Sequence, residues 1–273
     1  MASDPPNFIS IYDNTATANF VYLSESVTEA TGWTPDELVG KKAYDLFHPD
    51  DIGSLTRIHA ANVMNEKMSS MARYRSKHKD GHYVMLETVV HYCYDVIVCT
   101  NFIYDPQDIR HKIRSTSVDE VWVVDTNGAL HLEGAWNDNQ ERMHKTLATA
   151  NKWINNRVEH PQEPRFCLII NRYTYNYTIV FISQMAEKLV GAQCDQVLGR
   201  SLLELVSERD VDVVQAQLDM VKSSDMIMRM RFNWLMDSVN NTTEAVEAIA
   251  SSSNDGITVV VRLAPRISVT QQE

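Results

Sequence analysis

The chain has 273 residues, of which 44% are hydrophobic and 22% charged, and its formal net charge is −11. This composition supplies a core and excludes wholesale disorder, and no apolar run reaches the roughly 18 residues that a membrane span needs. The acidic balance, without a dense Lys/Arg cluster, argues against direct nucleic-acid binding. The N-terminal residues do not resemble a secretory signal. Four scattered cysteines without a CxxC pair predict no zinc finger and favour a reducing compartment, cytoplasm or nucleus.

The first half of the chain predicts a strand, several short helices, one longer helix and three strands. The strand covers residues 19–23, and Ser24 is the predicted N-cap of a short helix that ends at Gly32. Thr34 and Pro35 begin another helical turn. A longer helix is predicted over residues 52–64, followed by strands over 70–78, 82–92 and 94–104, the first two joined by a Lys-Asp-Gly turn.

The segment between residues 106 and 164 is too long for a bare linker. Residues 121–124 and 129–132 flank an Asp-Thr-Asn-Gly turn and predict a hairpin. Residues 140–158 predict an amphipathic helix, with Leu147 and Ile154 on its apolar face and Trp153 at the edge of that face. Such a helix packs either on its own domain or on a dimer partner.

The second half repeats the order of the first. Strands are predicted over residues 166–171 and 177–182, a helix over 210–222, and strands over 226–236, 245–251 and 257–263, with a polar loop over 237–243. The segments that start at Phe20 and Ile179 align without a gap at an offset of 159 residues. Identical pairs include Ser24/Ser183, Gly32/Gly191, Asp36/Asp195, Gly40/Gly199 and Asp51/Asp210. The alignment predicts two copies of one domain.

The stretches TGWTPDELVGKKAYDLFHPDD and YRSKHKDGHYVMLET, in this order and duplicated, resemble the PAS family of sensor and interaction domains. NFISIYD and EPRFCLIINRYTYNYTIVF are similar to fungal proteins of the white-collar group. The resemblance implies an α+β fold with two PAS domains, at residues 7–105 and 165–265, joined by a partly ordered linker over 106–164. Each domain is then a five-stranded antiparallel sheet with helices on one face and a pocket between the sheet and the longer helix.

Cysteine–flavin photochemistry of this family requires a thiol in a GRNCRFLQ-type motif. The reactive position falls on Ala43 in the first copy and on Leu202 in the second, so the sequence excludes that chemistry in both. Haem is a further alternative, because the resemblance implies that a histidine on the longer helix can hold iron, as in some PAS sensors. His59 lies on this helix, about one turn later than the position expected for that ligand.

The pocket candidates lie on the helix and strands that the resemblance places around the first-domain pocket: His59, Tyr74, Leu86, Cys99 and Asn101. No resident cofactor is predicted, haem and flavin being the alternatives. A metal site of His78, His82 and His91 is not expected, because His82 and His91 point to opposite faces of their strand.

The predicted strands of the first sheet are apolar on both faces, which requires cover on both. The outer cover must come from the linker hairpin, the other domain or another subunit. The predicted interface residues are Tyr94, Val98, Phe102, Tyr104, Leu147, Trp153 and Ile154.

These features predict a non-enzymatic tandem-PAS regulator that associates with itself or with another PAS protein in transcriptional or environmental signalling. No nucleophile elbow, phosphate-binding glycine loop or HExxH motif indicates an enzyme. The alternative is a ligand-gated sensor whose first-domain pocket binds haem, flavin or a small apolar metabolite. The sequence leaves open the partner and whether a longer regulator contains this chain.

Overall fold

The computed structural model describes residues 5–133, 153–158, 161–237 and 239–265. Within them, the strands form a seven-stranded sheet, a five-stranded sheet and a two-stranded hairpin. The duplicated α+β architecture predicted from the repeat is therefore confirmed. No helix of the described residues is long and apolar enough to cross a membrane.

The first domain follows the predicted order. Its elements are β1 (Asn7–Asp13), β2 (Phe20–Leu23), α1 (Val27–Thr31), α2 (Pro35–Leu38), α3 (Ile52–Met64), β3 (Ser70–Lys77), β4 (Tyr83–Cys93) and β5 (Val96–Ile103). Two short 3-10 turns, Ala43–Leu46 and Pro49–Asp51, precede α3. The strands are ordered β2-β1-β5-β4-β3, with antiparallel neighbours. Strand β1 is not among the strands predicted from the sequence pattern, in which its residues carried only the family resemblance.

The second domain repeats these elements. They are β10 (Phe166–Ile170), β11 (Ile179–Ile182), α5 (Met185–Val190), α6 (Cys194–Val197), α7 (Val211–Ser224), β12 (Met228–Asp237), β13 (Thr242–Ser253) and β14 (Gly256–Leu263). Two 3-10 turns, Leu202–Leu205 and Glu208–Asp210, precede α7. The predicted loop over residues 237–243 is shorter than expected, because β13 already begins at Thr242 and pairs with Asp237.

Local sequence signals explain the helix ends. Gly32 and Gly191 follow their helices with φ of 75° and 69°, a left-handed conformation in which a glycine pays no Cβ penalty. Thr34 and Glu37 form the capping box of α2, with Pro35 at its first position. Ser24 is not the N-cap of α1, which is Ser26. The Ser24 hydroxyl instead accepts a 2.8 Å hydrogen bond from the Ile9 amide in β1.

The segment after β5 adds to the first domain. Helix α4 (Ile109–Ser117), which the sequence did not predict, is followed by strands β6 (Val121–Val124) and β7 (Leu130–Glu133). The predicted hairpin is present, and β6 pairs in parallel with β3. The sheet therefore continues β3-β6-β7 into the predicted linker, and Trp122 and Val124 are buried in the first-domain core.

The predicted helix over residues 140–158 is wrong at its C-terminal end. Strands β8 (Trp153–Ile154) and β9 (Arg157–Val158) form a hairpin there, with Asn155 and Asn156 at positive φ in the turn. Consecutive asparagines tolerate this left-handed conformation, which no helix can contain. The rest of the predicted helix, including Leu147, lies outside the described residues.

Candidate functional site

A cavity of about 70 Å³ lies between the sheet of the first domain and α3. Of the five pocket candidates, His59, Tyr74 and Cys99 line it. Other lining residues include Tyr12, Ala43, Tyr44, Phe47, Leu55, Ile58, Asn62, Ala72, Thr88, Val90 and Ile97. Tyr12, Tyr44 and Phe47 were not among the pocket candidates. Strand β1, which holds Tyr12, was not predicted, and nothing in a short helical turn indicates that Tyr44 and Phe47 point inward.

The other two candidates lie outside this cavity. Leu86 and Tyr74 line a neighbouring space of about 20 Å³. Asn101 is fully buried behind the wall, where its oxygen accepts a 2.8 Å hydrogen bond from Thr88 and its amide donates to Ser10 at 2.8 Å. Thr88 also contacts the Tyr74 hydroxyl at 3.0 Å, so Asn101 orients one polar group of the cavity indirectly.

Burial keeps the titratable groups of the cavity uncharged. It raises the pKa of Tyr44 to about 12 and raises the pKa of the Tyr12 and Tyr74 hydroxyls and of the Cys99 thiol. The same desolvation lowers the pKa of His59. A neutral wall of aromatic, hydroxyl and thiol groups suits a small uncharged molecule and disfavours an ion.

The Nε2 atom of His59 is engaged in a hydrogen bond. It lies 2.7 Å from the Thr15 carbonyl, to which an imidazole N–H donates, so this nitrogen has no free lone pair. The volume of about 70 Å³ is well below the roughly 300–1,000 Å³ of pockets that hold large ligands. In the second domain, fully buried Leu218 takes the position of His59.

The β8–β9 hairpin covers the cavity on the His59 side. The Trp153 ring stacks on the His59 ring with centroids 5.6 Å apart and planes 11° apart. Trp153 and Val158 pack on a buried cluster that includes the cavity residues Val90, Ile97 and Cys99. The Ala16 amide donates to the Asn156 carbonyl at 3.2 Å, which fixes the hairpin turn to the loop after β1. A segment between the two domains thus packs against the His59 side of the first-domain pocket.

The outer faces of the two sheets pack against each other. Val98 and Phe102, two of the predicted interface residues, are buried in this contact. The cluster comprises Ile9, Ile11, Met71, Val89, Cys93, Val98, Phe102, Val118 and Val121 of the first half and Cys167, Ile169, Ile227, Ile249 and Val260 of the second. The sequence left three candidates for the cover of the outer sheet face: the linker hairpin, the other domain or another subunit. The other domain supplies it, together with Val118 and Val121 of the segment after β5.

A small polar network lies inside the apolar interface. His91 Nε2 is 3.0 Å from the Ser251 hydroxyl, and its Nδ1 is 2.9 Å from the Met68 carbonyl. Ser251 also contacts Thr100 and Thr258, each at 2.8 Å. Burial lowers the pKa of His91 to about 4, so the ring is neutral at pH 7 and can donate through one nitrogen and accept through the other.

Two buried arginines fasten the margins of this interface. Arg114 of α4 bonds to the fully buried Glu87 at 2.7 Å, lies 3.9 Å from the centre of the Phe102 ring and contacts Asp225 of the second domain at 3.4 Å. Arg165, just before β10, donates to the Tyr92 and Glu66 carbonyls of the first domain at 3.1 and 2.8 Å. Neither arginine was singled out from the sequence, because their partners are distant along the chain.

The remaining predicted interface residues lie at scattered positions. Tyr94 is a half-buried turn residue with φ of 56°, and Tyr104 is half-buried beneath the Arg73 guanidinium, 3.9 Å from its ring centre. Trp153 and Ile154 belong to the β8–β9 hairpin, and Leu147 lies outside the described residues.

Comparison with known proteins gives relatives for both halves. PAS-fold family profiles match residues 20–96 and 164–268, together more than half of the chain. Basic helix-loop-helix ARNT-like protein 2 of Mus musculus is 33% identical over 84 residues, covering 31% of this chain and 14% of that protein. Hypoxia-inducible factor 1-alpha of Gallus gallus is 32% identical over 91 residues, covering 31% and 11%. The chain thus spans a small part of the length of these curated relatives.

Two solved structures are similar to single halves of the chain. The wild-type PAS-B domain of Drosophila melanogaster Cycle, with bound ethylene glycol, is 26% identical, with a TM-score of 0.33 and coverage of 36% of this chain and 99% of that one. The PAS domain of the Cronobacter turicensis quorum-sensing receptor RpfR, in complex with BDSF, is 18% identical, with a TM-score of 0.33 and coverage of 38% and 100%. The matches do not support the narrower likeness to fungal white-collar proteins. With two matches to one fold family and the same order of elements in both halves, the chain belongs to the PAS family as a protein with two PAS domains.

Proposed function

We propose that this chain is a non-enzymatic regulatory module that acts by protein–protein association in transcriptional or environmental signalling, in the cytoplasm or the nucleus. The observation that carries the proposal is the sheet-to-sheet contact, in which one PAS domain already binds another through a buried apolar face. The names of the ARNT-like and hypoxia-inducible relatives support a regulatory setting.

Because the outer sheet faces are occupied within the chain, a partner must use other surfaces. In each domain an edge strand, β2 or β11, exposes a valine, and the residue that ends the second short helix, α2 or α6, exposes another apolar side chain. Val21 and Val39 are 50% and 48% exposed, and their equivalents Val180 and Leu198 are 51% and 46% exposed. Both copies thus retain an apolar patch at the same position, where solvent exposure is unfavourable unless another surface covers it. We assign the partner contact, with a second copy or another PAS protein, to these edge patches.

Sedimentation velocity of the full chain at increasing concentration tests the assignment. We expect reversible association that the double variant Val21→Arg/Val180→Arg weakens at least tenfold, because each arginine places a charge in an apolar contact. Val239→Arg is the matched control, since Val239 is 89% exposed and lies outside both patches.

The region of Mus musculus ARNT-like protein 2 that matches this chain serves as a second test protein in the same assay. A wild-type chain that stays monomeric at all concentrations, and that does not bind this region, would contradict the association proposal. Association that the double variant leaves unchanged would contradict its location.

A second candidate function is supported by the cavity between α3 and the first sheet. The neutral wall and the hairpin cover suit a ligand-gated sensor for a small uncharged molecule, whose entry would displace the hairpin between the domains. Propanol serves as a probe in an NMR titration, where we expect saturable shifts for residues that line the cavity.

Ala72→Leu fills the cavity and should abolish the shifts, whereas Ala129→Leu in an exposed turn should not. Shifts that are absent in the wild type, or that persist in Ala72→Leu, would count against the sensor.

A further inference from the structure

A group of potential metal ligands lies at the turn between β3 and β4, away from the cavity and the interdomain interface. One ligand atom from each of His78, Asp80 and His82 lies within 4.8 Å of the other two. His78 Nδ1 and His82 Nδ1 are 2.8 and 2.5 Å from the same Asp80 oxygen. The two imidazole rings stack with centroids 4.4 Å apart, so their Nδ1 atoms face one side of the turn.

The backbone holds the two histidines in register. The His78 amide donates to the His82 carbonyl at 2.8 Å, and the Gly81 amide donates to the His78 carbonyl at 3.0 Å. Gly81 has φ of 104°, a conformation that favours glycine and lets the turn close in three residues. The Lys79 amide donates to the Thr31 carbonyl at 2.9 Å, which fixes the turn to the end of α1.

Packing orients the His78 ring. A Cβ at Gly32 would lie 2.8 Å from His78 Cε1 and 3.1 Å from Nε2, so this side of the ring rests against the glycine backbone. The opposite nitrogen, Nδ1, is therefore the one presented to Asp80. Only part of the His78 side chain, 23%, is exposed, while 57% of the His82 side chain is exposed.

The lysine next to Asp80 does not hold its carboxylate. The Lys79 ammonium is directed to the Glu37 carboxylate, 2.6 Å away, and the Lys77 side chain on the other side of His78 is exposed. The Asp80 carboxylate faces the two imidazoles.

We propose that His78, Asp80 and His82 bind a transition-metal dication such as Zn²⁺. Two imidazole nitrogens and one carboxylate oxygen form a ligand set that Zn²⁺ accepts with water in the fourth position. A tetrahedral site with bonds of about 2.0–2.1 Å places its donors about 3.3 Å apart. The two nitrogens must therefore move roughly 0.5 and 0.8 Å farther from the Asp80 oxygen, and the stacked rings must rotate to direct both Nδ1 lone pairs at one ion. His91 takes no part, since it is buried in the interdomain interface.

Isothermal titration calorimetry of the full chain with Zn²⁺ alone tests this site. We expect one strong equivalent of Zn²⁺ per chain and at least a tenfold loss of affinity in both His82→Gln and Asp80→Asn. Co²⁺ provides a spectroscopic readout, because a tetrahedral site gives intense visible absorption that the two variants should lose.

His131→Gln is the matched control. His131 is also exposed and lies 2.9 Å from a carboxylate, that of Asp125, but it has no second histidine beside it in the described part of the chain. This variant should bind Zn²⁺ like the wild type. The proposal fails if His82→Gln binds as tightly as the wild type, if His131→Gln loses the same affinity, or if no stoichiometric binding occurs.

Discussion

Two aspartates at equivalent positions of the repeat show how single residues tie helix to sheet. Asp51 precedes α3, is fully buried and accepts hydrogen bonds from the Arg75 amide at 2.9 Å and from Arg75 Nε at 3.2 Å. Asp210 precedes α7 and accepts from the amide and side chain of Asn233 at 2.8 and 2.7 Å. Both copies therefore keep a carboxylate on a strand amide, but the ion pairs differ. Arg75 and Asp51 form a largely buried pair, whereas Arg209 lies 3.8 Å from Asp210 with 69% of its side chain exposed.

This difference predicts unequal costs for the same substitution. Asp51→Asn leaves the Arg75 guanidinium without its buried counterion and should lower the free energy of unfolding by about 2 kcal/mol. Asp210→Asn keeps a neutral acceptor for a neutral donor and should cost about 1 kcal/mol or less. Urea unfolding of both variants measures the difference, and equal losses would contradict the role of the ion pair.

At the scale of elements, the β6–β7 hairpin is held by a close backbone contact at its turn. Gly128 has φ of 82°, and a Cβ at this position would lie 2.2 Å from the Asp50 carbonyl oxygen. The Ser54 hydroxyl of α3 donates to the Gly128 carbonyl at 2.7 Å. A glycine is required here both for its conformation and for its lack of a side chain.

Gly128→Ala and Gly40→Ala separate these two requirements. Gly40 has φ of 83° with nothing within 4 Å of an added Cβ, so its substitution costs only the strain of the left-handed backbone, about 1–2 kcal/mol. Gly128→Ala adds the clash with Asp50 and should cost a further 1–3 kcal/mol or so. The free energy of unfolding from urea titration tests this order, and a larger loss in Gly40→Ala would contradict it.

The β8–β9 hairpin leads to a different prediction, on access to the cavity. Trp153→Ala removes the ring that covers His59, and Cys99 lies in the same cavity wall. We expect a thiol reagent to label Cys99 at least tenfold faster in this variant, with the labelled cysteine identified by mass spectrometry. Tyr175→Ala, a control at a side chain that is 96% exposed, should leave the rate unchanged. Unchanged labelling in Trp153→Ala would show that the hairpin does not close the cavity.

At the scale of the whole molecule, the interdomain interface combines apolar area with a neutral histidine. His91 is fully buried, and its pKa is lowered to about 4 by desolvation, below the ordinary value of about 6.5. The unfolded chain therefore takes up a proton before the folded chain does. The contribution of His91 is complete above about pH 6.5, decreases as the pH falls towards about 4, and changes no further below it.

Because the unfolded chain binds the His91 proton at higher pH, the free energy of unfolding of the wild type should fall by about 2 kcal/mol between pH 7 and pH 5. His91→Gln is less stable at pH 7 but should lose correspondingly less on acidification. His131→Gln, at an exposed position, should keep the wild-type slope. Urea titrations at the two pH values make the comparison, and parallel slopes for His91→Gln and the wild type would refute the assignment.

The order of elements within each domain follows from local signals. Gly32, Gly40 and their partners in the second copy terminate helical turns, and residues 52–64 form α3 as predicted. The alternation along β5 also separates its two faces correctly, with Ile97 and Cys99 on the cavity and Val98 and Phe102 on the other side. Helix capping, turns and period-two alternation involve residues that are close in sequence, so they can be recognised without a structure.

The sequence by itself thus determined a duplicated α+β unit whose sheet needs cover on both faces. Only the tertiary structure decided that the second domain covers the outer face, that Trp153 stacks on His59 beside the pocket, and that His78 meets His82 across a turn with Asp80 between them. The physical reason is distance along the chain and rotamer choice. The hydrophobic effect is non-directional, so an apolar face does not determine which surface covers it. The contacts that determine the covering surface join residues more than a hundred positions apart, such as His91 and Ser251.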